Sequence, residues 1–172
     1  MNVNFNVKEK VDCIYPEIVK IRRQLHENPE LSQQEKETSA LVCKVLDEHG
    51  ISYQSGIAGY GVVAQIGHGS RAVGIRADMD ALPVCENTGL PYASKVEGVM
   101  HACGHDMHTA ILLGTAMLLK ELEPELDARD SAVKLFFQPA EETIGGAKQL
   151  IEAGCMDNPK VDKVIALHID PN

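Results

Sequence analysis

Tryptophan is missing from this chain, and aromatic residues of all kinds make up only 4% of it. A core built from Val, Ile, Leu, Ala and Met is therefore expected. Basic runs are missing as well. With 16 Lys and Arg against 25 Asp and Glu, the formal net charge is −9, and nothing offers the positive surface that nucleic acid or an anionic membrane would need. No apolar stretch approaches a membrane span. The opening MNVNFNVKEKVDC is mixed and polar, without the charged-then-apolar order of a secretory leader. Cysteines are few, odd in number and widely spaced (13, 43, 85, 103 and 155), so no disulfide framework is implied. Reduced thiols in a cytoplasmic protein are expected instead. There is no internal repeat and no low-complexity linker. A length of 172 residues suits one domain with a real core.

What is present alternates. Ile14, Ile18, Ile21 and Leu25 recur at threes and fours, which predicts a helix from Val11 to Glu27, stopped by Asn28-Pro29. A second helix is expected from Ser32 to His49, with Gly50 after it. GYGVVAQIG and RAVGIRADM read as strands, and Gly67-His68-Gly69-Ser70 between them reads as a hairpin turn. Residues 84–100 look irregular. TAILLGTAMLLKELEPEL is helical, SAVKLFF is a buried-type strand, AKQLIEAG a short helix and VDKVIALHI a strand. Alternating helices and strands define an α/β class.

Four polar clusters follow apolar strands or open a helix, where sites form in open α/β sheets. The densest is His101, Cys103, His105, Asp106 and His108. Cys103 and His105, two apart, can converge on one ion from a loop but not from a helix. His105 and His108 can share a helix face. Thiolate with imidazole suits zinc and other late divalent ions. Any one of these histidines alone is better read as a surface residue; the whole cluster favours metal or catalysis. Glu141-Glu142 comes next: one carboxylate can bind a metal while its neighbour faces the substrate water. Taken alone, the pair reads as an ordinary helix-start feature. His168 ends an apolar strand, and Asp78 and Asp80 end another. Those carboxylates can ligate metal, orient a ligand His, or cap a turn. His26, His49 and His68 look like surface or turn residues, and Cys43 packs in the second helix.

Five stretches together resemble the N-acyl-amino-acid amidohydrolase branch of the aminoacylase and carboxypeptidase-type metallopeptidases. They are RRQLHENPELSQQEKET (22–38), GIRADMDALP (74–83), GVMHACGHDMHTAILLG (98–114), FFQPAEE (136–142) with GGAKQLIEAG (145–154), and LHIDP (167–171). The resemblance implies a three-layer α/β/α catalytic domain around a mixed, largely parallel sheet. It implies Cys103, His105, Glu142 and His168 as metal ligands and Glu141 as general base. Asp80 would be the acidic residue supporting the site. Two divalent ions, zinc or manganese, would complete the centre, and the substrate would be a small N-acylated amino acid or dipeptide-like molecule. Members of the family are longer: they carry an inserted dimerisation and lid domain and a last ligand His beyond it. Residues 1–172 would then be the N-terminal portion of the catalytic domain. An exposed sheet edge with an apolar patch, prone to self-association, is expected, and so is little turnover. Thr143-Ile144 stand where a glycine-richer turn is usual in the family. Two rivals stay open: a cysteine hydrolase with Cys103 as nucleophile, and a non-catalytic metal-binding fragment.

Overall fold

The computed structural model describes residues 5–143 and 145–169; Asp170 and Pro171, the end of the last stretch above, and Ile144 of the Thr143-Ile144 turn lie outside them. The described residues form α1 (Val7–Glu27), α2 (Lys36–Glu48), β1 (Ser52–Ile57), β2 (Gly61–Ile66) and β3 (Arg71–Asp78). They continue with α3 (His105–Glu121), α4 (Glu123–Ala128), β4 (Ser131–Gln138), α5 (Gly146–Glu152) and β5 (Val161–Ala166).

One sheet holds the strands in the order β1-β2-β4-β3-β5. β3 runs parallel to β4 and β5, whereas β2 is antiparallel to β1 and β4. The expected hairpin between β2 and β3 is therefore wrong. β4 lies between them, and its residues from Ala132 to Gln138 are all buried. The most continuously apolar strand takes the centre, where both of its edges are paired. Gly67 and Gly69 do not turn the chain back. A Cβ on Gly67 would stand 2.6 Å from the Ser131 carbonyl oxygen, and one on Gly69 would stand 1.9 Å from the Ser131 nitrogen. The loop crosses over the start of β4, and only glycine lets it pass so close. The real hairpin joins β1 to β2 through Ala58-Gly59-Tyr60. β1 was not expected from sequence, because SYQSGI is an almost wholly exposed edge strand without apolar alternation.

Helices cover both faces. The larger core packs α1, α2 and α3 on one side of the sheet through Ile21, Leu25, Leu46, Leu113, Ile66, Leu135 and Phe137. A smaller cluster on the other face joins Phe136 and Ala72 to Leu150 of α5 and to Val161. This is the expected three-layer arrangement. α1 and α3 approach closely at Gly114, where a Cβ would meet Ile18 at 3.0 Å. α1 begins earlier than expected, at Val7, because Asn6 accepts a bond from the Glu9 amide and caps it. α2 begins later, at Lys36 rather than Ser32. Residues 30–35 are diverted instead: the Ala81 amide donates to the Glu30 carbonyl, and Leu31 bridges to Ala81. Among the described residues, no helix is long and apolar enough to cross a membrane. β5 forms one sheet edge, and Val164, Ile165 and Leu167 are exposed there.

Candidate metal centre

Three parallel strands deliver their C-terminal ends to one rim. β3 ends in Asp78 and leads to Asp80, β4 leads through Gln138-Pro139-Ala140 to Glu141-Glu142, and β5 leads to His168. The N-terminus of α3 meets this rim, with His105 as its first residue. Gly104, at φ 83°, turns the chain so that Cys103 and His105 face the same side.

Side-chain donors converge in three overlapping groups, one of which joins Asp78, His105 and His108. Cys103, His105 and His168 each offer an atom within 4.8 Å of the others, and so do His105, Glu141 and Glu142. The Cys103 Sγ lies 3.3 Å from His168 Nε2. His105 Nε2 lies 3.7 Å from Glu142 Oε1 and 3.6 Å from Asp78 Oδ2. Its Nδ1 faces Asp80 Oδ1 at 3.3 Å, close but not aligned as a hydrogen bond. Both ring nitrogens of His105 and the Glu142 Oε1 are buried and without hydrogen-bond partners. Buried polar atoms are almost always paired. A thiol, two imidazoles and carboxylates with idle lone pairs aimed together fit a divalent transition metal, with the carboxylates supplying the charge.

Electrostatics point the same way. Burial would lower the His105 imidazole, but Asp80, Asp78 and Glu142 outweigh it and raise its pKa. Burial first, and then the Glu142 carboxylate, push the Cys103 thiol up to about 11. Burial would also raise Asp80, yet His105, the Ser32 hydroxyl and the backbone amides of Glu142 and Glu141 hold it well below the usual carboxylate range. Its Oδ2 accepts from Ser32 Oγ at 2.6 Å and from the Glu142 amide at 3.0 Å. Asp80 is thus a hub beside His105, with its second oxygen facing the imidazole.

The other members of the sequence cluster are placed differently, and of these His108 stays beside His105 and Asp78. His108 Nδ1 lies 2.6 Å from Asp78 Oδ1, and its Nε2 accepts the Ile169 amide at 3.1 Å. That bond fixes the ring with its proton on Nδ1, donated to Asp78. Asp106 turns toward α1, where its Oδ2 meets His26 Nδ1 at 2.7 Å and Arg22 Nε at 2.8 Å. His26 was expected at the surface; it is only 3% exposed, because Asp106 and Glu86 take its two ring nitrogens. His101 is buried with neither nitrogen paired, and burial lowers it to about 4. Sequence reasoning also missed Ser32 and Glu35, both inside a stretch read as the start of a helix. All five cysteines are free thiols.

Comparison with known proteins identifies the family. The family model for peptidase family M20/M25/M40 matches residues 74–172, more than half of the chain. The chain belongs to that family. It is 48% identical over 172 residues to the N-acetyl-L-cysteine deacetylase of Bacillus subtilis, covering 99% of this chain and 39% of the relative. It is 47% identical over 167 residues to the IAA-amino acid hydrolase ILR1-like 5 of Arabidopsis thaliana, covering 96% and 37%. The chain thus spans about two fifths of the length of these curated relatives. Among solved structures, the Bacillus subtilis YXEP protein, described as a dinuclear metal binding peptidase from the M20 family, superposes with a TM-score of 0.86. It is 43% identical, covering 94% of this chain and 45% of that one.

Proposed function

We propose that this chain carries one part of the active centre of a metal-dependent amidohydrolase that cleaves small N-acylated amino acids or dipeptide-like substrates. The observation that carries the reading is His105: it is buried, both ring nitrogens are idle, and Cys103, Glu142 and His168 surround it. In this reading Cys103, His105, Glu142 and His168 are metal ligands. Asp80 Oδ1 stands 3.3 Å from the His105 Nδ1, in place to accept its N–H once the ring ligates a metal through Nε2. A bound divalent ion, zinc or manganese and two per complete site, would polarise the amide carbonyl and acidify a water. Glu141 is exposed at the mouth of the site and accepts the water proton. As the water oxygen adds to the carbonyl carbon and the C–N bond breaks, Glu141 returns that proton to the departing nitrogen. The products are a carboxylate and a free amino acid. The names of the deacetylase and amino acid hydrolase relatives support this substrate class.

Residues 1–172 are read as the N-terminal portion of the catalytic domain, with the lid domain and remaining catalytic portion supplied by further chain, as the greater length of the relatives suggests. Turnover by these 172 residues alone is then expected to be negligible. A transition state without a lid lies open to water and loses electrostatic stabilisation. The free thiols suit a cytoplasmic setting, and the apolar β5 edge suits self-association.

A cysteine nucleophile is less well supported. Reactive thiols sit in electropositive surroundings that lower their pKa, whereas burial first, and then Glu142, Asp78 and Glu141, raise that of Cys103. Elemental analysis of the purified chain tests the proposal. Roughly one equivalent of a divalent transition metal or more is expected, with most of it lost in Cys103→Ser. No metal after addition of zinc or manganese would overturn the reading.

A further inference from the structure

A carboxyl group outside the donor cluster is buried as deeply as any in the molecule. Glu35 stands just before α2 and is 0% exposed. It makes no capping bond to its own helix. That task falls to Glu30, whose carboxylate accepts from the Glu37 and Thr38 amides at 3.1 and 2.8 Å. The partner of Glu35 is remote in sequence instead: its Oε1 accepts the Ala140 amide at 2.7 Å, while Oε2 has no partner. Burial raises its pKa, so a carboxyl here is costly to keep.

Ala140 is an unusual residue to hold. It is 2% exposed and sits at φ 51°, in the left-handed region that a residue with a Cβ rarely adopts. Both of its backbone groups are held. Glu35 takes the amide, and the Gly146 amide donates to its carbonyl at 3.2 Å. The next two residues are Glu141 and Glu142. The direction in which the chain leaves Ala140 decides where those carboxylates point. Glu142 is fixed again through its own amide, which donates to Asp80.

We propose that Glu35 is a positioning residue for the Glu141-Glu142 pair: its side-chain oxygen locks Ala140 in the left-handed turn that aims both carboxylates at His105. This rests on the metal-centre reading above. The acceptor oxygen and its reach matter here, not the charge. Glu35→Gln keeps an oxygen at the same distance. Glu35→Asp keeps the charge and withdraws the oxygen by one methylene. Glu35→Met keeps the volume and removes the acceptor.

Calorimetric titration of the metal-free 172-residue chain with manganese(II) tests this, with thermal melts run in parallel. Glu35→Met and Glu35→Asp are expected to weaken binding by roughly ten- to a hundredfold, the usual effect of removing a group that orients metal ligands. Glu35→Gln is expected to stay within about threefold of wild type, since it still accepts the bond. Val42→Ala, which opens a cavity at a fully buried position of the same helix, is expected to lower the melting temperature without moving the affinity. Equal affinity in Glu35→Gln and Glu35→Asp would overturn the proposal, even if Glu35→Met does not fold. So would an equal loss in Val42→Ala, because affinity would then merely follow stability. A wild-type chain that binds no manganese would overturn the metal-centre reading and the role of Glu35 with it. Unchanged affinity in all variants of a binding chain would remove the role of Glu35 alone.

Discussion

Gly104 shows how much a single backbone position decides. It turns at φ 83° between two donors, and a Cβ there would stand 2.1 Å from Ile169 Cδ1 and 2.7 Å from its Cγ1. Gly104→Ala must therefore strain the turn and push away the residue next to His168. A loss of about 1–2 kcal/mol from the left-handed backbone alone is expected, read by chemical denaturation. Metal affinity should fall as well, because Cys103, His105 and His168 all border the displaced atoms. Protons make a second residue-scale prediction. Without metal, Cys103 is pushed up to about 11, so it holds a proton at neutrality that a cation must displace, and the raised His105 pKa acts in the same direction. Binding should release protons, and apparent affinity should rise with pH across the neutral range. Calorimetry in buffers of different ionisation enthalpy would count them; pH-independent uptake would contradict these ligand assignments.

Between elements, a buried polar tie joins α1 to α3 through Arg22, His26 and Asp106. Removing Asp106 leaves a buried imidazole and a guanidinium without their shared partner. Asp106→Ala should cost about 3 kcal/mol. The pH window follows from the shifts. His26 is raised, chiefly by its bond to Asp106, so its contribution is complete below 6.5 and fades as pH rises through the folded value. Asp106 is lowered: burial opposes this, but His26, His101 and Arg22 prevail, so its contribution is present above 3.8 and fades as pH falls through the folded value. The tie is strongest between those limits, and Asp106→Ala should flatten the stability profile at both ends.

This element scale also marks what could be read beforehand. The rim was legible because apolar strands ending in Asp78, Gln138 and Ala166 announce where polar side chains gather, and Cys103 with His105 stands out by composition alone. The order of strands was not legible: Gly67 and Gly69 look like turn residues whether the chain reverses or crosses another strand. Nor were His26, Ser32 and Glu35. Their partners lie 80, 48 and 105 residues away, and a polar residue on an amphipathic pattern reads as exposed until its distant partner is known.

For the whole molecule, one edge stands out. Among the described residues β5 pairs only with β3, and Val164, Ile165 and Leu167 are 46, 56 and 67% exposed. An unpaired edge with apolar side chains invites a second strand. Sedimentation at increasing concentration should reveal self-association, and Ile165→Lys should abolish it while leaving manganese binding intact.

The central place of β4 has a consequence for how the chain reaches this state. β2 and β3 share no hydrogen bonds; each waits for residues 131–138, which follow the whole of α3 and α4. As the polypeptide emerges in order, only the β1–β2 hairpin can pair early. The strand bearing Asp78 stays without a neighbour until Phe136 and Phe137 arrive. Closing those long loops precedes any gain from the parallel strands. Among the described residues, assembly of the rim therefore comes late rather than early, and these residues are most exposed to misfolding just before the fourth strand is made.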